Sequence, residues 1–215
     1  MDNILVVTAH VSGLEHIDMD FHAFDAVICA DGGLLIAEKL GIDADFLIGD
    51  YDSMAQPKTK KVIKLPMEKD MTDSEAAIDL AVSKGCRKIT VLGGLSGRFD
   101  HTMGNVGILA KYCGKLTRLV IVDGQNCVFM LAPGKTSVPR SRYPYLGIIS
   151  YGSEAEGVTL RGVKYPLTDH HLTNSTTLGV SNEITEDAAE ISFTKGRLLV
   201  VLSRDIPGSS SEYAR

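Results

Sequence analysis

Phe46-Leu47-Ile48-Gly49-Asp50-Tyr51-Asp52-Ser53 and, after a short connection, Lys69-Asp70-Met71-Thr72-Asp73-Ser74-Glu75 decide how this chain is read. Phe46, Leu47 and Ile48 form a short apolar run of the kind a buried strand needs, which puts Asp50 and Asp52 at its carboxyl end, where open α/β sheets bind ligands. Alternate strand residues share a side, so the two carboxylates repel unless a cation lies between them. A hard divalent ion such as magnesium is the usual remedy and implies a phosphate substrate. In the second segment Ala76, Ala77, Leu80 and Ala81 follow at helical spacing, and Thr72 with Glu75 has the spacing of a capping box. Taken alone, Asp73 is a first-turn acid complementing the helix dipole and Asp70 a solvated loop charge. Taken with Asp50 and Asp52, they make two acidic pairs at element ends, the pattern of a metal and phosphate site.

Composition narrows the class. The 215 residues suffice for one large domain or two modest ones, each with a real core. A net charge of -5 without a basic cluster argues against a nucleic-acid partner. The opening MDNILVVTAH has no basic flank, and its apolar run is far too short for a signal peptide or a membrane span. It is expected to be a first strand, in a protein of cytoplasmic location. Cys29, Cys86, Cys113 and Cys127 lack CxxC spacing and sit among apolar neighbours, as reduced structural thiols do.

Strands are predicted at Ile4 to Thr8 and Ala26 to Ala30, joined by a polar connector with room for a short helix. Asp31-Gly32-Gly33 then opens a helix that Gly41 closes. The glycines allow close backbone approach, and Asp31 either caps the helix or belongs to a turn offering N–H groups to a phosphate or ribose. Further strands are expected at Val62 to Leu65 and Lys88 to Leu92, the latter running into GGLSGRFDHTMGN at 93–105. That segment is a glycine turn followed by a helix, a second phosphate cradle. Arg98 offers a bidentate grip on phosphate, and Asp100 and His101 offer acid-base capacity. The plainer alternatives are Asp100 as helix cap and His101 as a first-turn residue facing the sheet, the latter preferred. Neither a Walker A nor a GxGxxG sequence occurs. After the strand Arg118 to Val122 the texture changes to short apolar runs, Cys127 to Leu131, Leu146 to Tyr151, Gly157 to Leu160, Ala189 to Phe193 and Leu198 to Leu202, split by polar clusters. LTDHHLTNSTTLGVSNEI at 167–184 reads as a connector and PGSSSEYAR at 207–215 as a frayed tail. The expected fold is α/β: a Rossmann-like, mostly parallel α/β domain over 1–124, then a small antiparallel β-sandwich domain over 125–215.

Four segments together, DGG at 31–33, GDYDS at 49–53, KDMTDSEAAI at 69–78 and GGLSGRFDHTMGN at 93–105, resemble those of thiamine pyrophosphokinases in order and spacing. The resemblance implies diphosphate transfer from ATP to the hydroxyl of thiamine with magnesium. It also implies a homodimer whose sites lie between the α/β domain of one subunit and the β domain of the other. It assigns Asp50, Asp52, Asp70 and Asp73 to magnesium and the ATP phosphates. Asp31, Gly32, Gly33, Lys69, Thr72, Gly94 and His101 fall to ATP binding, and Arg98 and Asp100 lie beside the diphosphate and the thiamine hydroxyl. The second domain departs from the family pattern of a tryptophan after a glycine turn and a later serine-x-serine-asparagine. This chain has no tryptophan, carries Tyr165 after Gly162, and keeps Ser181-Asn182. Tyr165 is expected to face a cationic thiazolium, and Ser181 and Asn182 to hydrogen-bond the aminopyrimidine. Two other readings stay open: a metal-dependent phosphohydrolase with Asp50 as nucleophile, and a nucleotide or thiamine sensor without turnover.

Overall fold

The computed structural model describes residues 1–49, 61–64 and 70–205; Asp50, Asp52, Lys69 and the tail lie outside them. The chain divides into two compact units, Met1–Gly124 and Gln125–Arg215, and the architecture is mixed α/β.

The first unit runs β1 (Asn3–Val7), β2 (Ala26–Ala30), α1 (Gly33–Lys39), β3 (Phe46–Gly49), β4 (Lys61–Lys64), α2 (Asp73–Ser83), β5 (Lys88–Leu92), α3 (Phe99–Tyr112) and β6 (Arg118–Val122). Its strands pair in parallel in the order β4-β3-β2-β1-β5-β6. Near-continuous apolar runs suit strands covered on both faces, and Ile4, Leu5, Ile28, Leu47, Ile89 and Leu92 are fully buried. Each such side chain contributes about 1.5–3 kcal/mol on burial. β1 ends one residue before the expected Thr8, whose N–H and hydroxyl both donate to the Leu92 carbonyl. The polar connector holds two short 3-10 turns, Leu14–His16 and Phe21–Ala23, and Leu14, Ile17 and Phe21 pack on the core.

The second unit runs β7 (Asn126–Leu131), β8 (Gly134–Pro139), β9 (Tyr145–Ser150), β10 (Ala155–Arg161), β11 (Leu167–Leu172), β12 (Asn182–Glu183), β13 (Ala188–Phe193) and β14 (Leu198–Ser203), with no helix among its described residues. Antiparallel strands form one layer in the order β12-β9-β14-β7 and a separate sheet in the order β11-β10-β13-β8. Leu146, Ile148, Leu198 and Val200 of the first layer share a core with Val158, Leu160, Ala189 and Ile191 of the second. β8 and β11 occupy stretches that show no apolar run. Among the described residues both are edge strands, paired on one side only and largely exposed, so polar sequences such as Lys135-Thr136-Ser137 and Thr168-Asp169-His170 are tolerated there. The segment 167–184 is therefore part sheet and part connector.

Candidate functional site

In the first unit the strand order reverses between β1 and β5: β2, β3 and β4 extend to one side, and β5 and β6 to the other. The loops leaving the two central strands diverge there and open a cleft at their carboxyl ends. Thr8, Ala9 and His10 line it from β1, Ala30 and Asp31 from β2, and Thr72, Asp73 and Ser74 from the start of α2. Gly94, Ser96, Arg98, His101 and Asn105 line it from the turn after β5 and the start of α3.

Backbone contacts too close for a side chain build this cleft. A Cβ on Gly33 would lie 2.1 Å from the Val7 carbonyl oxygen, so the glycine lets α1 start directly against β1. Gly93 has φ +92, and a Cβ there would meet the His10 carbonyl at 2.4 Å and Thr8 Oγ1 at 2.5 Å. The β1 and β5 loops are stitched by Gly94 N–H donating to the His10 carbonyl (2.8 Å), while buried Asn105 donates through Nδ2 to the Gly94 carbonyl (2.8 Å).

Thr72 caps α2, its hydroxyl accepting the Glu75 N–H at 3.2 Å, as the spacing predicts. The Glu75 carboxylate meets Lys111 Nζ (2.9 Å), which also contacts Asp79 (3.0 Å), and the Tyr112 hydroxyl donates to Asp79. These contacts tie α2 to α3, and the carboxylates, Glu75 first, hold the Lys111 ammonium well above its ordinary pKa. Asp73 is half-buried in the cleft wall; Asp70, just before it, is exposed.

Arg98 and Asp100 form an exposed fork, Nε to Oδ1 at 3.1 Å and Nη2 to Oδ2 at 2.5 Å, and Asp100 Oδ1 also accepts the His101 N–H at 2.9 Å. The Arg98 hydrogen bonds hold the Asp100 carboxyl below its ordinary value. Asp100 is not the α3 cap, since Arg98 occupies that position without a side-chain cap bond and Asp100 lies inside the first turn. His101 does not face the sheet either; it is exposed and lines the cleft. Asp31 does not cap α1, because Gly32 is the cap residue. Asp31 takes φ 48 and its N–H donates to the Ile48 carbonyl at 2.8 Å. Thus Asp31, Thr72, Asp73, Gly94, Arg98 and His101 gather in one cleft. Among the described residues no three His, Cys, Asp or Glu side chains are close enough to hold a metal ion. Thr8, Ala9, His10, Ser74, Ser96 and Asn105 line the cleft without having been singled out in the sequence. All but Asn105 share one signal, position near a strand end or a helix start; Asn105 lies well inside α3.

In the second unit, Tyr165 is exposed, Ser181 takes a left-handed φ of 58, and Asn182 is buried. Asn182 Oδ1 accepts N–H groups from Tyr165 (3.0 Å) and Glu183 (2.9 Å), and its Nδ2 donates to the Tyr165 carbonyl (2.7 Å). Its amide is spent largely on the protein backbone.

A parallel sheet with carboxylates, an arginine and glycine turns at its switch point defines an α/β protein built to handle phosphate groups. The family model for the thiamin pyrophosphokinase catalytic domain matches residues 21–121, and the one for the vitamin B1 binding domain matches 135–198. Thiamine pyrophosphokinase of Bacillus subtilis is 31% identical over 186 residues, covering 83% of this chain and 87% of that protein. The crystal structure of thiamine pyrophosphokinase from Bacillus subtilis matches with a TM-score of 0.85 at 28% identity, over 95% of this chain and all of that one. Thiamin pyrophosphokinase from Geobacillus thermodenitrificans gives 0.83 at 31% identity, over 95% and 99%. The chain belongs to the thiamine pyrophosphokinase family.

Proposed function

We propose that this protein transfers the terminal diphosphate of ATP to the hydroxyl of thiamine, giving thiamine diphosphate and AMP. The observation that carries the proposal is the convergence of Asp31, Thr72, Asp73, Arg98 and His101 on one cleft at the β1/β5 switch point, in a chain of this family. The strand order supports a Rossmann-like description of residues 1–124 as the ATP-binding domain. The shared core supports a β-sandwich description of 125–215 as the thiamine-binding and dimerisation domain. The proposed assembly is a cytoplasmic homodimer with sites shared between subunits; no described helix is long and apolar enough to cross a membrane.

Attack of the thiamine oxygen on the β-phosphorus breaks its bond to the α–β bridging oxygen, which leaves with the electron pair as part of AMP. Catalysis therefore needs in-line placement and positive charge at that oxygen. Arg98 supplies a fixed charge once its guanidinium exchanges Asp100 for phosphate oxygens, and the release frees Asp100 to accept the hydroxyl proton, a role one of the metal-site aspartates could fill instead. Gly94 and His10 shape the turn against which the phosphates lie. Asp73 in the cleft wall is a hard oxygen donor of the kind magnesium prefers, and with Asp70, Asp50 and Asp52 it makes up the set proposed to hold the ion. When bound, magnesium neutralises charge on the β-phosphate and the leaving oxygen.

Incubation with ATP, magnesium and thiamine tests the proposal. Thiamine-dependent AMP is expected; ADP would indicate an ordinary kinase, thiamine-independent orthophosphate the hydrolase, and thiamine binding without turnover the sensor.

A further inference from the structure

The aromatic face that a thiazolium would use already carries a cation. Lys164 Nζ lies 5.6 Å from the centroid of the Tyr165 ring, within cation–π range, and 2.6 Å from Glu183 Oε1. The backbone beneath is fixed. Lys164 N–H donates to the Glu183 carbonyl (3.0 Å), Val163 bridges Ile184, and Asn182, only 4% exposed, grips both the N–H and the carbonyl of Tyr165. The backbone that carries the ring is thus held in place and Tyr165 is 59% exposed, while the charges over it sit on flexible stems whose side chains are 48% and 41% exposed.

We propose that Lys164 and Glu183 form an exchangeable charge pair that makes the Tyr165 face selective for a cationic ligand: the incoming cation displaces the Lys164 ammonium from the ring and takes its place beside the Glu183 carboxylate. The inference rests on the thiamine reading, the thiazolium being that cation. A solvent-exposed ion pair is weak enough to open for such an exchange. In the closed pair the carboxylate is neutralised and the ring is engaged, so a neutral ligand gains nothing by displacing Lys164. A cation gains both the ring and the carboxylate. Tyr165 therefore reads charge through its neighbours.

The test is calorimetric binding to the full-length protein. The two probes are thiamine and the neutral aminopyrimidine alcohol that lacks the thiazolium ring. A melting curve of each variant verifies folding. Lys164→Met removes the competitor and frees Glu183, and should tighten thiamine roughly two- to fivefold. Glu183→Gln leaves the Lys164 charge unopposed, and should weaken thiamine by a similar factor. Neither variant should shift the neutral probe, and in a Tyr165→Leu background Lys164→Met should give a smaller gain. Opposite shifts confined to the cation support the inference. An unchanged thiamine Kd in both variants, or equal shifts of both probes, overturns it while leaving the thiamine reading intact. A wild-type protein that binds no thiamine overturns both.

Discussion

The cleft of the first unit carries its charged groups on element ends, with exposed Arg98 at the cap of α3, forked onto Asp100 in its first turn, and Asp73 on the first turn of α2. In the second unit Asn182 is buried and turned onto the backbone of Tyr165, and the exposed charges pair with each other. The first arrangement leaves side chains able to change partner for a phosphate. The second spends a buried polar side chain on holding a surface in shape. A substitution in the cleft should therefore cost turnover, and one at Asn182 should cost structure.

The sharpest break in that contrast is expected at Asp73. Asp73→Asn removes a charge from the cleft wall, and the same change at Asp50, Asp52 or Asp70 removes another member of the proposed acidic set. Loss of one preorganised charged group from a reaction of this type costs about 10²–10³ in kcat. The melting temperature should hold or rise slightly as carboxylate repulsion is relieved. Turnover beside a melting curve decides it, and near-normal kcat in all four variants would remove the acidic site.

The proposed sharing between chains ranks next. If Asp52→Asn and Tyr165→Ala are each nearly inactive alone, refolding them together should restore roughly a quarter of wild-type activity, because two-fold symmetry puts one intact site in each heterodimer and half the dimers are mixed. Heterodimers confirmed by mass with no regained activity would place each site within one chain.

In the second unit the expected loss is stability. Asn182→Ala leaves the Tyr165 N–H and carbonyl without their side-chain partner, at a cost of about 1–3 kcal/mol, read as a lowered denaturation midpoint. An unchanged midpoint would mean that water replaces the clamp.

The smallest effect concerns Asp100. Its carboxyl is held below the ordinary 3.8 by Arg98, so the pair's contribution is present above that value and disappears as pH falls through the lowered folded one. A carboxyl NMR titration of the free protein should give a midpoint below 3.8 that moves up in Arg98→Ala. A midpoint indifferent to Arg98 would show that the fork does not persist in solution.

Much of this was legible in the residues. Buried parallel strands declare themselves as runs such as Ile89-Thr90-Val91-Leu92, and Thr72 with Glu75 announces a helix start. The cleft's carboxylates and Arg98 were legible because glycine turns and acidic pairs have few other uses at strand ends. His10 was not, because it reaches the cleft only through the order of strands, and Asn105 was not, because its role is to turn back from within α3 onto the Gly94 carbonyl. The polar edge strands β8 and β11 escaped for want of a buried face. The clamping role of Asn182 escaped because Tyr165, its partner, lies far off in sequence.

The central claim is tested most directly with ATP labelled in its β-phosphorus, supplied with magnesium and thiamine to the purified protein. All transferred label should appear in thiamine diphosphate, with one unlabelled AMP formed per product molecule. Label retained in ADP, or released as orthophosphate at the same rate without thiamine, would contradict it.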